Sequence, residues 1–263
     1  MSLLLLKLVV TMVAVVGLSL VAERLSTRLA GVLAGFPHGI AIVLWFIGTE
    51  QGAEFAARAA GFATAGLGAN VVLAWTYGEV ARRAGAGVRA VAMAALGGVA
   101  AFLAVAAALN MLAPGPLLAP VVAVALIGLA RLLVGLWPAP AALVKPPLRL
   151  GELLARAALA GAIVVAVTGL AALIGPQWAG LLAGFPVVSF PLLVILHLGH
   201  GPGPVMAVVR HYPFGIVALV VFTLVARWGF VALGVTGGTL AGLGAAVIWL
   251  AAAQAVQARL SRG

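Results

Sequence analysis

Few side chains in this sequence could do chemistry, and most of them stand near one repeated motif. Ala30-Gly31-Val32-Leu33-Ala34-Gly35-Phe36-Pro37 returns 149 residues later as Ala179-Gly180-Leu181-Leu182-Ala183-Gly184-Phe185-Pro186, identical at seven of eight positions. His38 follows the first proline, and Ser189 lies three residues after the second. Arg58 and Arg210 each follow a glycine-rich connection, Gly48-Thr49-Glu50-Gln51-Gly52 and Gly199-His200-Gly201-Pro202-Gly203. An imidazole titrates near neutral pH, so His38 could carry a proton or hold a cargo, or could stay neutral against a freed carbonyl. A guanidinium presents a fixed fork of donors suited to phosphate or carboxylate, although arginines in such positions also snorkel to lipid headgroups.

Other chemistry is poorly supplied. There is no Cys, which removes disulfides and thiolate sites. The only acids are Glu23, Glu50, Glu54, Glu79 and Glu152, so no aspartate cluster exists to hold Mg²⁺. The histidines at 38, 197, 200 and 211 are scattered, whereas a catalytic zinc asks for three protein ligands. Ser189 and a histidine are present, but no motif joins a nucleophile to its base. The expectation is a protein that is not an enzyme, with no metal and no cofactor. The net charge of +10 does not argue for nucleic acid, because basic residues in a chain this apolar mostly record orientation.

The elements that must position these residues are membrane helices. Hydrophobic residues make up 65% of the chain and charged residues 8%, against roughly 45–50% and 25% in soluble domains. Apolar runs of about 20 residues recur along the whole length, each long enough to cross a hydrocarbon core. Turn chemistry divides them into nine expected spans, at 3–22, 29–48, 55–80, 88–112, 116–137, 152–174, 179–198, 205–227 and 230–257. The first could be misread as a signal peptide, but the second copy has a matching span, so it is expected to be retained.

Spans 1 to 4 match spans 6 to 9, leaving span 5 unpaired. The expected organisation is a first repeat at 1–113, a connecting helix and cytoplasmic linker at 114–148, and a second repeat at 149–263. Five spans separate equivalent positions, so the copies are expected to cross the membrane in opposite directions, as an inverted repeat. Charge supplies an independent check. With the N-terminus outside and the C-terminus cytoplasmic, eleven basic residues fall on cytoplasmic segments and only Lys7, Arg58 and Arg227 outside, while Arg131 sits within span 5.

Paired Gly/Pro-interrupted spans are the usual sequence pointer to a transporter's binding site. Pro37, flanked by Gly35 and Gly39, should break span 2; Pro186 and then Pro191 should interrupt span 7 twice. Broken backbone survives in lipid only against protein or a watery cavity. Phe36, Pro37, His38, Phe185, Pro186 and Ser189 are therefore candidate lining, with Arg58 and Arg210 meeting an anionic group on opposite faces. The competing reading is simple packing, since Gly31/Gly35 and Gly180/Gly184 form Gly-x-x-x-Gly spacings that favour helix contact. Asn70 could bond across helices. Glu50 and Glu54 are expected to face water or pair with Arg58, with ion coupling as the other possibility, and His197 and His200 are expected to be solvated at the interface.

The stretch from Ser26 to Tyr77 resembles the small GlpM-type bacterial membrane proteins. The similarity lies in Leu29-Ala30-Gly31, Phe36-Pro37, Gly48-Thr49-Glu50-Gln51-Gly52 and the later Arg58. Those proteins are single units of about four spans, so this chain looks like a fused tandem version. Its second copy departs by lacking the glutamate. The resemblance implies a bacterial inner-membrane protein linked to glycerol or envelope polysaccharide metabolism. Taken together, the expectation is an all-α integral membrane protein, a transporter or lipid translocase. Its partners would be membrane lipid and a small anionic or amphiphilic substrate such as an envelope lipid phosphate. A non-transporting scaffold or accessory subunit is the alternative. Nothing in the sequence sets the oligomeric state.

Overall fold

The computed structural model describes residues 3–24, 36–115, 117–138 and 149–260. The first octapeptide as far as Gly35 lies outside them, as do Arg28, Lys145 and Arg262. Every described element is helical: α1 Leu3–Arg24, α2 His38–Gln51, α3 Ala53–Ala84, α4 Val88–Leu112, α5 Leu118–Gly135, α6 Leu150–Ala183, α7 Ser189–His200 and α8 Pro202–Leu260. Among the described residues six helices are long and apolar enough to cross a membrane, as a multi-pass membrane protein requires. Large apolar side chains such as Leu96, Leu132, Leu173, Leu240 and Ile248 point outward, which suits lipid rather than water.

Glycine cuts the helices at regular intervals. Gly52 separates α2 from α3 (φ 92°, ψ 162°), and Gly201 separates α7 from α8 (φ 75°, ψ −167°). Gly85 ends α3, and Gly234 divides α8 into α8a (202–233) and α8b (235–260). This corner of backbone space is essentially closed to residues with a Cβ. Both pairs of glycines are separated by the same 149 residues as the octapeptides, so the repeat extends into backbone geometry.

Contacts fix the helix directions. α4 folds back along α3, with Gly98 against Leu73 and Tyr77. α8b folds back along α8a, with Gly238 against Gly229 and Gly242 against Phe222. The equivalent helices α3 and α8a run antiparallel. Gly61 lies against Arg227, Thr64 bonds Thr223, Asn70 bonds Tyr212, and Gly78 lies against Val209. α5 follows α3 in the same direction, with Ala123 and Leu126 over Gly68 and Trp137 over Gly78. α3 is thus the central helix, 72% buried over its apolar window where the other long helices are 17–44% buried.

The interruptions match expectation in part. Span 7 is broken at Pro186 as expected, residues 184–188 separating the end of α6 from α7. A further glycine, Gly175 (φ 73°, ψ 171°), divides α6 ahead of the motif. The expected second interruption at Pro191 is absent. Pro191 sits in the first turn of α7, where an amide N–H has no intrahelical acceptor to lose.

Candidate functional site

The segments that follow the two Phe-Pro pairs meet. A Cβ added at Gly39 would lie 3.2 Å from Val188 Cγ2 and 3.7 Å from Val187 Cβ, so the residues after Pro37 touch the residues after Pro186. Gly39 and Val188 are themselves 149 apart, the spacing of the two octapeptides. Pro37, Pro186, Val187 and Val188 are all buried. The contact is apolar and close-packed. Phe185 packs edge-on against Phe102 and Phe190, with ring centroids 5.1 and 5.4 Å away.

Around the two prolines the backbone leaves the helical pattern, and side chains bond its carbonyls. His38 Nδ1–H donates to the Phe36 carbonyl at 2.9 Å, leaving its buried Nε2 without a partner. Asn70 Nδ2 donates to the Gly184 carbonyl at 2.7 Å, and Tyr212 Oη donates to Asn70 Oδ1 at 2.8 Å. Ser189 is half-buried in the first turn of α7. Asn70 and the second break therefore form one hydrogen-bonded group that includes Tyr212, a residue outside the sequence-based expectation.

The second-copy Gly-x-x-x-Gly packs backbone to backbone on α3. A Cβ at Gly180 would fall onto the Ala59 carbonyl, and one at Gly184 would lie 2.6 Å from Gly66 C. These glycines serve close approach of helices, as such spacings do in membranes.

Two half-open cavities flank this contact, at opposite ends of the α3–α8a pair, and neither includes Pro37 or Pro186. The larger, about 410 Å³, is lined by Glu54, Arg58, Gly61, Phe62, Arg227 and Trp228, among others. The smaller, about 230 Å³, is lined by Trp75, Glu79, Arg82, Trp137 and Pro138. Arg210 Nη1 donates to the Pro138 carbonyl at 3.2 Å, so it belongs to that end. Arg58 and Arg210 do lie at opposite ends. They are not register equivalents, however: Arg210 corresponds to Gly61, and Arg227 corresponds to Gly78.

Glu50 corrects the sequence reading, pairing with Lys7 and not with Arg58. Its Oε1 lies 2.6 Å from Lys7 Nζ, with side chains 16% and 6% exposed. The counterpart of Lys7 is Arg156, but the counterpart of Glu50 is Gly199, so the second copy keeps the cation and loses the acid. Removing one member of a buried ion pair costs about 3–5 kcal/mol, whereas replacing both with apolar residues costs little. Glu50→Gln should therefore lower thermal stability strongly, and Lys7→Met with Glu50→Met should recover most of it, read as monodisperse protein surviving a heating series. Equal stability of Glu50→Gln and the parent chain would count against the pair.

His197 also departs from expectation. It is fully buried, with Nδ1 3.3 Å from Tyr77 Oη and Nε2 2.8 Å from the Gly85 carbonyl, so it ties α7 to the end of α3 instead of meeting solvent. Among the described residues no cluster of three His, Cys, Asp or Glu could hold a metal ion.

No protein-family profile matches this chain, and neither a curated protein nor a solved structure shows significant similarity to it.

Proposed function

We propose that this chain is a bacterial inner-membrane secondary transporter or lipid translocase. It consists of two inverted four-helix repeats and a connecting helix, and it crosses the membrane nine times with its N-terminus outside and its C-terminus cytoplasmic. The cargo is anionic or amphiphilic. The observation that carries the reading is the antiparallel pairing of the register-equivalent helices α3 and α8a, with the two broken segments in contact between them. Inverted repeats with discontinuous helices at their interface are the usual build of alternating-access carriers. Cavities at the two ends of that pair supply the two access routes such a cycle needs. A fused pair of GlpM-type units accounts for the duplication.

One observation favours the scaffold reading. The break contact at Gly39, Val187 and Val188 is sealed and apolar, as a purely structural joint would be. A carrier caught between its two open states has the same seal, so turnover decides between them. Protein-dependent movement of fluorescent short-chain phospholipids between the leaflets of proteoliposomes supports the carrier, and its absence supports the scaffold.

The frame can be tested apart from the activity. Ala84 and Leu233 are equivalent, exposed, and placed at the ends of α3 and α8a. The chain has no cysteine, so Ala84→Cys and Leu233→Cys each introduce a unique thiol. A membrane-impermeant maleimide should label Leu233→Cys in intact cells and Ala84→Cys only after permeabilisation. Labelling of both from one side would exclude the inverted arrangement.

A further inference from the structure

Arg58 and Arg227 converge on one cavity, and their charges are not spent elsewhere. Of the three basic residues that charge sorting puts outside, Lys7 is neutralised by Glu50. The other two line the cavity of about 410 Å³ together with Glu54. Among the described residues none of these three groups takes part in an ion pair. The opposite cavity is different, because there Glu79 is held by Arg82 and Arg83 at 2.6 Å each.

The lining of the larger cavity also combines charged and apolar residues, as a ligand with a polar head and an apolar tail requires. Gly61 lets the Arg227 side chain lie flat across α3, with Cδ, Nε and Cζ 3.6 Å from where a Cβ would stand. The Arg227 guanidinium lies 5.5 Å from the centroid of the Trp228 ring. Trp228 is itself 73% exposed, a large aromatic surface beside the Arg227 guanidinium. Two guanidinium forks suit one phosphate, and an unpaired carboxylate suits an ammonium group.

We propose that this cavity binds the headgroup of a zwitterionic phospholipid. Arg58 and Arg227 hold its phosphodiester, Glu54 holds its primary ammonium, and Trp228 and Val231 lie along the start of its chains. The site names the cargo class of the proposed carrier and rests on that reading for its purpose only, since binding does not require turnover.

The test is retention of short-chain phosphatidylethanolamine, phosphatidic acid and phosphatidylcholine by the detergent-purified full chain, followed by native mass spectrometry. Arg58→Gln and Arg227→Gln should each weaken phosphatidylethanolamine retention by about tenfold, equivalent to ~1.4 kcal/mol. The corresponding lysine variants should keep most of it. Arg89→Gln, at an exposed position remote from the cavity, should leave it unchanged. Glu54→Gln should abolish the preference for phosphatidylethanolamine over phosphatidylcholine, because a quaternary ammonium cannot donate to a carboxylate.

Parent-like retention in well-folded Arg58→Gln and Arg227→Gln would overturn the site. Retention of the two headgroups that Glu54→Gln does not alter would overturn the ammonium assignment. Equal displacement of the lipid by free phosphoethanolamine at matched concentration would overturn the lipid in favour of a soluble ligand. Loss of binding with leaflet movement intact would remove the site as cargo site and leave the carrier standing; binding without any movement would do the reverse.

Discussion

Gly180→Val is expected to lose about 3 kcal/mol or more of stability and to leave little monodisperse protein after extraction. The new side chain has nowhere to go. A Cβ at this position falls onto the Ala59 carbonyl and within 2.8 Å of Phe62 Cβ, so backbone, not a flexible side chain, must move. Four residues on, Gly184 meets Gly66 just as closely, and Gly66 meets the Leu181 carbonyl at 2.6 Å, so neither helix can slide to make room. Any separation of α6 from α3 also pulls the Gly184 carbonyl off Asn70. Gly169→Val is the control, on the segment of α6 before Gly175. It has no atom within 4 Å of an added Cβ and faces outward, so it should extract as the parent does. Equal yields and melting temperatures for the two variants would show that the Gly-x-x-x-Gly contact does not hold the copies together.

How much of this was legible in the sequence depends on the range of the interaction. Proline is a local signal: the break at Pro186 stands where it put it, and α2 starts directly after Pro37. Pro191 misled because a proline two residues into a helix costs nothing, and the start of α7 at Ser189 is set by the earlier break. The apolar runs and their turn glycines were likewise local. The Lys7–Glu50 pair was not, since the two are 43 positions apart and only tertiary packing brings α1 against α2. His197 looked interfacial from its place near a helix end, yet its partners Tyr77 and Gly85 come from the other copy.

The arginines show the limit most clearly. Pairing Arg58 with Arg210 followed their similar distance from the glycine-rich connections. The register of 149 instead sets Arg210 opposite Gly61 and Arg227 opposite Gly78. A usable signal was there for one of them: Arg227 lies against Gly61 of α3, and a glycine is what lets a long cation lie across a central helix. Reading it required knowing that α3 and α8a are antiparallel neighbours, and periodicity alone does not say that.

The meeting of the two breaks makes the central claim open to direct interference. Carriers of this build cycle by rocking one unit against the other around a fixed centre. A covalent bond across that centre should therefore stop the cycle while leaving the fold intact, whereas a scaffold has no cycle to stop. Gly39 and Val187 are suited to such a bond, because the Cβ-to-Cβ separation of 3.7 Å lies within the roughly 3.5–4.5 Å that disulfides take. The chain contributes no competing thiol.

The decisive measurement is leaflet movement of fluorescent short-chain phospholipids in proteoliposomes carrying Gly39→Cys with Val187→Cys, before oxidation, after it, and after reduction. The account predicts movement by the reduced protein, a fall of about tenfold or more on oxidation, and recovery with reductant. Undiminished movement in fully cross-linked protein, or none by the parent chain, would contradict it.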